Sequence, residues 1–298
     1  MHPQPLFTIF GQGVYLYGIC FALGILCCFV FLYITMWKKK FSETSCDAVI
    51  FIGIFGTGFG ILTAMLFQAT YNYISNPAAG FDFGGSMTFI GGLIGGVVSF
   101  VGVWNLYMYV IRPRTKLKFL LGNMNAGLTD ALPFIPIGIT IAHAFGRFGC
   151  FWAGCCYGKE TDAWYGMYCA KHYNSYTGVV SNGNLVIPTQ LFEMFFLIIL
   201  CVVMAVLYFK FKFNYNFAVY AIAYGIWRFL LEFIRGDSRG EFIGNALSPS
   251  QIWSIVMVLI GIGYIFVQKY FFSKLMKHPE LSEPAQEEEK PVEQPAQT

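Results

Sequence analysis

Charged side chains are what this sequence has least of. Across 298 residues, Lys, Arg, Asp and Glu make up 12%, against about 25% in an ordinary soluble domain. That density is too low to coat a water-facing surface, which excludes a soluble globular protein. A nucleic-acid partner is excluded as well: the net charge is only +3, and the positive residues form short clusters beside apolar runs rather than one basic face. Met1–Gly13 holds no Lys or Arg, so the basic region of a cleavable signal peptide is missing and the first apolar segment is expected to stay as an anchor. The nine cysteines do not form the framework of a small disulfide-stapled domain. No internal repeat of the kind that builds transporters is present.

What the sequence has instead is apolar length. Hydrophobic residues make up 56% and aromatics 19%, and a bilayer core is spanned by roughly 20 apolar residues. Seven segments qualify: Val14–Trp37, Ala48–Ala69, Met87–Val110, Gly127–Phe151, Pro188–Phe209, Phe217–Ile234 and Gln251–Phe272. The fourth contains Pro133 and Pro136, which predict a kink. Basic clusters follow every odd-numbered segment: Lys38–Lys40, then Arg112, Arg114, Lys116 and Lys118, then Lys210 and Lys212, then Lys269, Lys274 and Lys277. Because cytoplasmic flanks are enriched in Lys and Arg, the reading is an all-α integral membrane protein of seven helices with its N-terminus outside and its C-terminus in the cytoplasm. The domain runs over 1–275 and carries a small outer loop cap at 157–186. The tail, 276–298, is rich in Pro, Glu and Gln and is expected to be disordered. Gly56, Gly58, Gly60, Gly91, Gly92, Gly95 and Gly96 form small-residue stripes suited to close helix packing in lipid.

Given that topology, the rare polar residues of the spans fall on one side. Tyr17, Arg147, Thr189, Gln190, Glu193, Arg228, Glu232, Arg235, Ser248 and Gln251 all lie near outer ends of their segments. An ionisable residue at membrane depth is costly and marks a functional site. Arg228 and Glu232 share a helix face at i, i+4, with Arg235 a further three residues on. The plain structural alternative is an intrahelical salt bridge with a snorkelling arginine. Three arginines against Glu193 and Glu232 leave positive charge to bind a phosphate, and in the outer leaflet such a site suits a phospholipid headgroup.

Several stretches resemble one family, the prolipoprotein diacylglyceryl transferases. The run Gly146-Arg147-Phe148-Gly149-Cys150-Phe151-Trp152-Ala153-Gly154 is similar to the family's Gly-Arg-x-Gly-Asn-Phe-x-x-Gly. Pro188-Thr189-Gln190-Leu191-Phe192-Glu193, Arg228-Phe229-Leu230-Leu231-Glu232-Phe233-Ile234-Arg235, Leu247-Ser248-Pro249-Ser250-Gln251, Tyr17-Gly18 and the glycine run from Gly91-Gly92 match further motifs in the family's order, over about residues 14–272. The resemblance implies transfer of a diacylglyceryl group from phosphatidylglycerol to the lipobox cysteine of secreted prolipoproteins, at the outer leaflet of a bacterial cytoplasmic membrane, by a monomer without cofactor or metal. By the same resemblance Arg147 and Arg228 hold the phosphate, Glu232 orients Arg228, Tyr17 and Glu193 shape the pocket, and Gly146, Gly149, Cys150, Gly154, Gln190, Arg235, Gly91 and Gly92 belong to the substrate-binding motifs.

Two departures bear on the acceptor. Where many members have His or Tyr before the glycine run of the third span, this chain has Ile90, which cannot take a proton; the family's Asn and acidic residue are Cys150 and Cys155. His143, one turn before Arg147, is a candidate base, or a histidine satisfied by helix packing. Cys150, Cys155, Cys156 and Cys169 admit three readings: a structural disulfide, free packing thiols, or, ranked last because Cys-x4-Cys-Cys lacks Cys-x2-Cys spacing, a metal site. Two other functions stand beside the transferase: a related phospholipid-dependent enzyme with a different acceptor, and a lipid-binding or transport protein without chemistry.

Overall fold

Long apolar runs closed by lysines or capped by short polar side chains become helices in the computed structural model, which describes residues 4–77, 80–81, 83, 89–114, 124–168, 185–236 and 247–272. A short hairpin, β1 (Phe7–Ile9) with β2 (Gln12–Val14), leads into α1 (Leu16–Lys38). Next comes α2 (Glu43–Ser75), started by Ser42, whose hydroxyl accepts from the Ser45 N–H. Then follow α3 (Phe89–Leu106), which widens through a π turn at Tyr107–Ile111 into the single turn α4 (Arg112–Arg114), and α5 (Leu128–Ala131). The remainder is α6 (Ile135–Ala153), the strand pair β3 (Met167–Tyr168) and β4 (Leu185–Val186), α7 (Thr189–Phe211), α8 (Asn216–Leu231) with a 3-10 turn at Glu232–Ile234, and α9 (Pro249–Val267) with a π turn at Gln268–Phe272.

Among the described residues, six helices are long and apolar enough to cross a membrane: α1, α2, α3 with its extension, α7, α8 with its extension, and α9 with part of its extension. The expected seventh span corresponds to α6, which is 19 residues long but less apolar than these six and carries His143 and Arg147. The fourth span differs from its predicted form. Pro133 and Pro136 do not kink one helix over 127–151: Pro133 lies in the break between α5 and α6, and Pro136 sits in the first turn of α6. A first-turn proline has no intrahelical N–H bond to lose, so the sequence starts a helix where an interior proline would have bent one. The second span is longer than predicted, at 33 residues or about 50 Å, and so overshoots the bilayer core.

The helices pack chiefly as α1 on α6, α2 on α3, α6 on α7 and α8 on α9. Small residues set these approaches, because between helices in lipid close backbone packing replaces the hydrophobic effect. At the α2–α3 seam the Gly60 position faces the Gly92 carbonyl and the Gly96 backbone, and Thr63 Oγ1 donates to the Gly91 carbonyl at 3.0 Å. Gly58 lies off this seam, facing open space. Gly225 sits against the Ser254 carbonyl between α8 and α9. Met36, Phe134, Ile137, Leu197 and Met204 fill the core. Buried Asn216 ties the start of α8 to its neighbours by donating to the carbonyls of Pro133 and Met204. Apolar side chains such as Val98, Ile199 and Leu259 point outward, as lipid-facing positions require. The tail 276–298, Cys169 and most of the loop cap lie outside the described residues, as do Lys116, Lys118, Lys274 and Lys277.

Candidate active site

The C-terminal end of α6, the N-terminal end of α7, the C-terminal end of α8 and the N-terminal end of α9 meet, and their polar residues form two adjoining clusters. The first is centred on Arg147. Its Nε lies 3.0 Å from Glu193 Oε1, and its Nη2 donates to the Tyr224 hydroxyl at 3.3 Å. Tyr224 in turn donates to Glu193 Oε1 at 2.7 Å, so arginine, carboxylate and phenol close a triangle. His143, one turn up α6, accepts from Arg147 through Nε2 at 3.4 Å and meets the Tyr220 hydroxyl through Nδ1 at 3.0 Å. Its ring also packs edge-on against Tyr224. Glu193 is 1% exposed. A carboxylate so deep requires a paired, hydrogen-bonded partner, and the triangle supplies one.

The second cluster is centred on Glu232. Arg228 Nη2 lies 2.8 Å from Glu232 Oε2, Arg235 Nε lies 3.6 Å from the same oxygen, and Ser248 Oγ donates to Oε1 at 2.9 Å. Arg228 Nη2 also donates to Ser250 Oγ at 3.0 Å. Ser248 and Gln251 form a reciprocal capping box at the start of α9, which fixes both serines at the helix entrance. Arg228 retains a buried donor, Nη1, with no partner among the described residues. The clusters are neighbours: Arg228 acts electrostatically on both Glu193 and His143. Among the described residues, three arginines face two carboxylates, and one guanidinium N–H has no partner there.

The connector after α6 packs over these ends. Gly154 takes the left-handed conformation, φ +70°, as the C-cap of α6, and the chain turns back so that Cys155 N–H donates to the Cys150 carbonyl. Gln190 Nε2 donates to the Cys155 carbonyl at 2.6 Å and Thr189 Oγ1 to the Cys156 carbonyl at 2.7 Å. Lys159 N–H donates to the Ile234 carbonyl. As a result the sulfurs of Cys150, Cys155 and Cys156 lie within 4.8 Å of one another. They are thiols, with no disulfide among the three. Hydrogen bonding to Cys150 and Cys156, together with burial, pushes the Cys155 thiol up from its ordinary value. The structural disulfide read as one possibility for Cys150, Cys155, Cys156 and Cys169 is not formed among the first three, and Cys169 lies outside the described residues. The spacing argument that ranks a metal last loses its force, because the reversal at Gly154 does what a Cys-x2-Cys turn does elsewhere.

The structure brings together Arg147, His143, Glu193, Gln190, Arg228, Glu232, Arg235 and the three cysteines. Tyr17 joins from α1, its ring against Gly149 and its hydroxyl within electrostatic reach of Arg147 and the thiols. Gly149 serves this packing and Gly154 the helix cap, whereas Gly146 faces open space. Gly91 and Gly92 lie in the α2–α3 seam, where Gly91 meets the Phe67 ring. Among the described residues they touch none of the arginines. Ile90 is in α3, with its side chain outside the described residues. Sequence reasoning overlooks Tyr220 and Tyr224. The signal was present, since Tyr220, Tyr224 and Arg228 are spaced i, i+4, i+8 along one face, but a tyrosine in an aromatic-rich chain does not stand out as an arginine does. An apolar groove of about 410 Å³, lined in part by Ala144, Phe148, Met194 and Ile198, opens between α6 and α7 beside the Arg147 cluster.

Comparison with known proteins bears on this arrangement. The family model described as prolipoprotein diacylglyceryl transferase matches residues 4–267. A phosphatidylglycerol–prolipoprotein diacylglyceryl transferase of Clostridium tetani is 31% identical over 268 residues, covering 89% of this chain and 97% of the relative. A second transferase of that name from Clostridium perfringens is 27% identical, covering 85% and 91%, and one from Rickettsia bellii is 29% identical, covering 88% and 94%.

Proposed function

The chain belongs to the prolipoprotein diacylglyceryl transferase family, and from that membership we propose that the two arginine clusters are its phosphatidylglycerol site. The protein is a multi-pass membrane transferase of lipoprotein maturation. It moves a diacylglyceryl group from phosphatidylglycerol to a prolipoprotein cysteine and releases glycerol phosphate.

The observation that carries the site assignment is the buried Arg228 Nη1, which has no partner among the described residues and lies in a group of three arginines against two carboxylates. A buried unsatisfied donor costs about 1–3 kcal/mol, and a lipid phosphate oxygen removes that cost when it binds. Arg147, held by Glu193 and Tyr224, faces the same phosphate from α6. As the carbon–oxygen bond to the phosphate breaks, negative charge grows on the leaving oxygen. Pre-oriented guanidinium groups stabilise that charge most where water is scarce. Glu232 and the capping serines of α9 hold Arg228 in place, and His143 holds Arg147. One acyl chain fits the apolar groove between α6 and α7, whose Phe148 and Met194 adjoin Arg147 and Glu193 in sequence.

The site faces the outer leaflet in this reading. It lies at the ends of α6 and α8 and the starts of α7 and α9, while Lys38–Lys40, Arg112, Arg114, Lys210, Lys212 and Lys269 lie at the opposite ends. A secreted precursor reaches such a site without recrossing the membrane, and the bacterial plasma membrane is the setting. The test is a transfer assay with purified protein, labelled phosphatidylglycerol and a lipobox peptide beside its Cys→Ala control. Arg228→Ala is expected to lower the turnover by about a hundredfold to a thousandfold. Undiminished turnover in Arg228→Ala would sink the phosphate assignment.

A further inference from the structure

We propose that Cys150, Cys155 and Cys156 bind one thiophilic divalent metal ion, zinc being the natural candidate, and that the ion's fourth position takes the acceptor thiol as thiolate. This rests on the transferase reading above for its second half only. The three sulfurs come from two short pieces of chain, the last turn of α6 and the residues just past its Gly154 cap, and lie within 4.8 Å of one another. A tetrahedral zinc with bonds of about 2.3 Å holds its sulfurs roughly 3.8 Å apart, so the thiols need to draw together by about 1 Å at most. Their loop is held in place without a metal. Gln190 and Thr189 donate to the carbonyls of Cys155 and Cys156, and Gln190 Oε1 is buried with no partner among the described residues. Three protein ligands and one open position is the pattern of a catalytic zinc, while structural sites are closed by four.

The position of the site gives the open place a use. Cys150 is one helical turn from Arg147, and Arg147 lies within electrostatic reach of Cys150 and Cys156. Tyr17 closes another side. The acceptor is itself a thiol, whose thiolate is the nucleophile. A thiol bound to zinc is deprotonated outright. The step then balances. The acceptor S–H gives its proton to water on binding the ion. The metal-held thiolate attacks the glyceryl carbon bearing the phosphate ester, a C–S bond forms and the C–O bond breaks. The phosphate oxygen leaves with the electron pair as glycerol phosphate beside Arg147 and Arg228, and the ion is unchanged.

The experiment uses the full chain in detergent, reduced and stripped with a chelator, then titrated with Co²⁺ and, in competition, Zn²⁺. One equivalent of Co²⁺ is expected to give a thiolate-to-cobalt charge-transfer band that Zn²⁺ abolishes. Cys150→Ser, Cys155→Ser or Cys156→Ser should each weaken binding by a hundredfold or more, while Cys201→Ser leaves it unchanged. Adding a lipobox cysteine peptide should raise the band by roughly a third, four thiolates in place of three, and the serine peptide should leave it as it was. Absence of the band overturns the proposal, as does a band that survives the three substitutions, one indifferent to the cysteine peptide, or a Cys150–Cys155 disulfide that persists under reductant. Transfer undiminished in the stripped protein overturns it too and leaves the transferase reading intact. A peptide-sensitive band without transfer from phosphatidylglycerol upholds the thiol site and fails that reading instead.

Discussion

Tyr224 and Glu193 decide how Arg147 is presented, and each supports a separate expectation. Tyr224→Phe removes the hydroxyl that bridges arginine to carboxylate and keeps the ring that packs on His143. The loss of hydrogen bonds to charged groups is worth about 1.5–3 kcal/mol, so turnover should fall by about tenfold to a hundredfold with the helices intact. Steady-state kinetics beside circular dichroism checks both halves. Glu193→Leu has a different consequence, because it leaves the partly buried Arg147 charge without the counter-ion it has among the described residues. Breaking a buried pair from one side costs about 3–5 kcal/mol. The variant should therefore unfold at markedly lower temperature in detergent, and a melting curve like that of the parent would contradict the pairing as the source of stability. At this scale the arginines and glutamates were legible in the sequence, because charge is rare in an apolar run. Tyr220 and Tyr224 were not, because tyrosine is common in such a chain and only contact distinguishes them.

Among the elements, α6 carries the most. It presents His143, Arg147 and Cys150 and ends at a left-handed glycine that returns the chain over them. Its start was misread, since Pro133 and Pro136 announce a break without saying on which side the helix continues. The α2–α3 pair is the opposite case, a seam legible from glycine spacing alone. Gly60→Leu drives a side chain into the Gly92 carbonyl and the Gly96 backbone, and overpacking of this kind costs about 1–3 kcal/mol or more. Gly58→Leu, facing open space, should be tolerated. Thermal unfolding of the two variants in parallel tests the seam, and equal behaviour would mean that α2 and α3 meet elsewhere. Gly154→Ala should destabilise by about 1–2 kcal/mol, the cost of a left-handed backbone for a residue with a β-carbon.

For the whole molecule, the open question is orientation. By the positive-inside rule, the loops after α1, α3, α7 and α9 are expected in the cytoplasm and the arginine site outside. A reporter enzyme active only outside the cytoplasm should be silent when fused after Lys40 or Phe272 and active when fused after Lys159. The reverse pattern would put the site on the cytoplasmic side and separate it from a secreted acceptor.

Apolar length, the charge rhythm at the helix ends and the four polar motifs are properties of the chain read in one dimension. They were enough to specify an all-helical membrane protein with six to seven candidate spans, its family and the charged residues that meet at the helix ends, because burial in lipid leaves so few places for charge. The Arg228–Glu232 pair follows from its i, i+4 spacing, whereas only packing decided that Arg147 takes Glu193 from the next helix. Only the fold could gather Cys150, Cys155 and Cys156 into one triad, since their approach depends on a chain reversal at Gly154 and on Gln190 and Thr189 holding the loop, contacts between residues more than 30 positions apart.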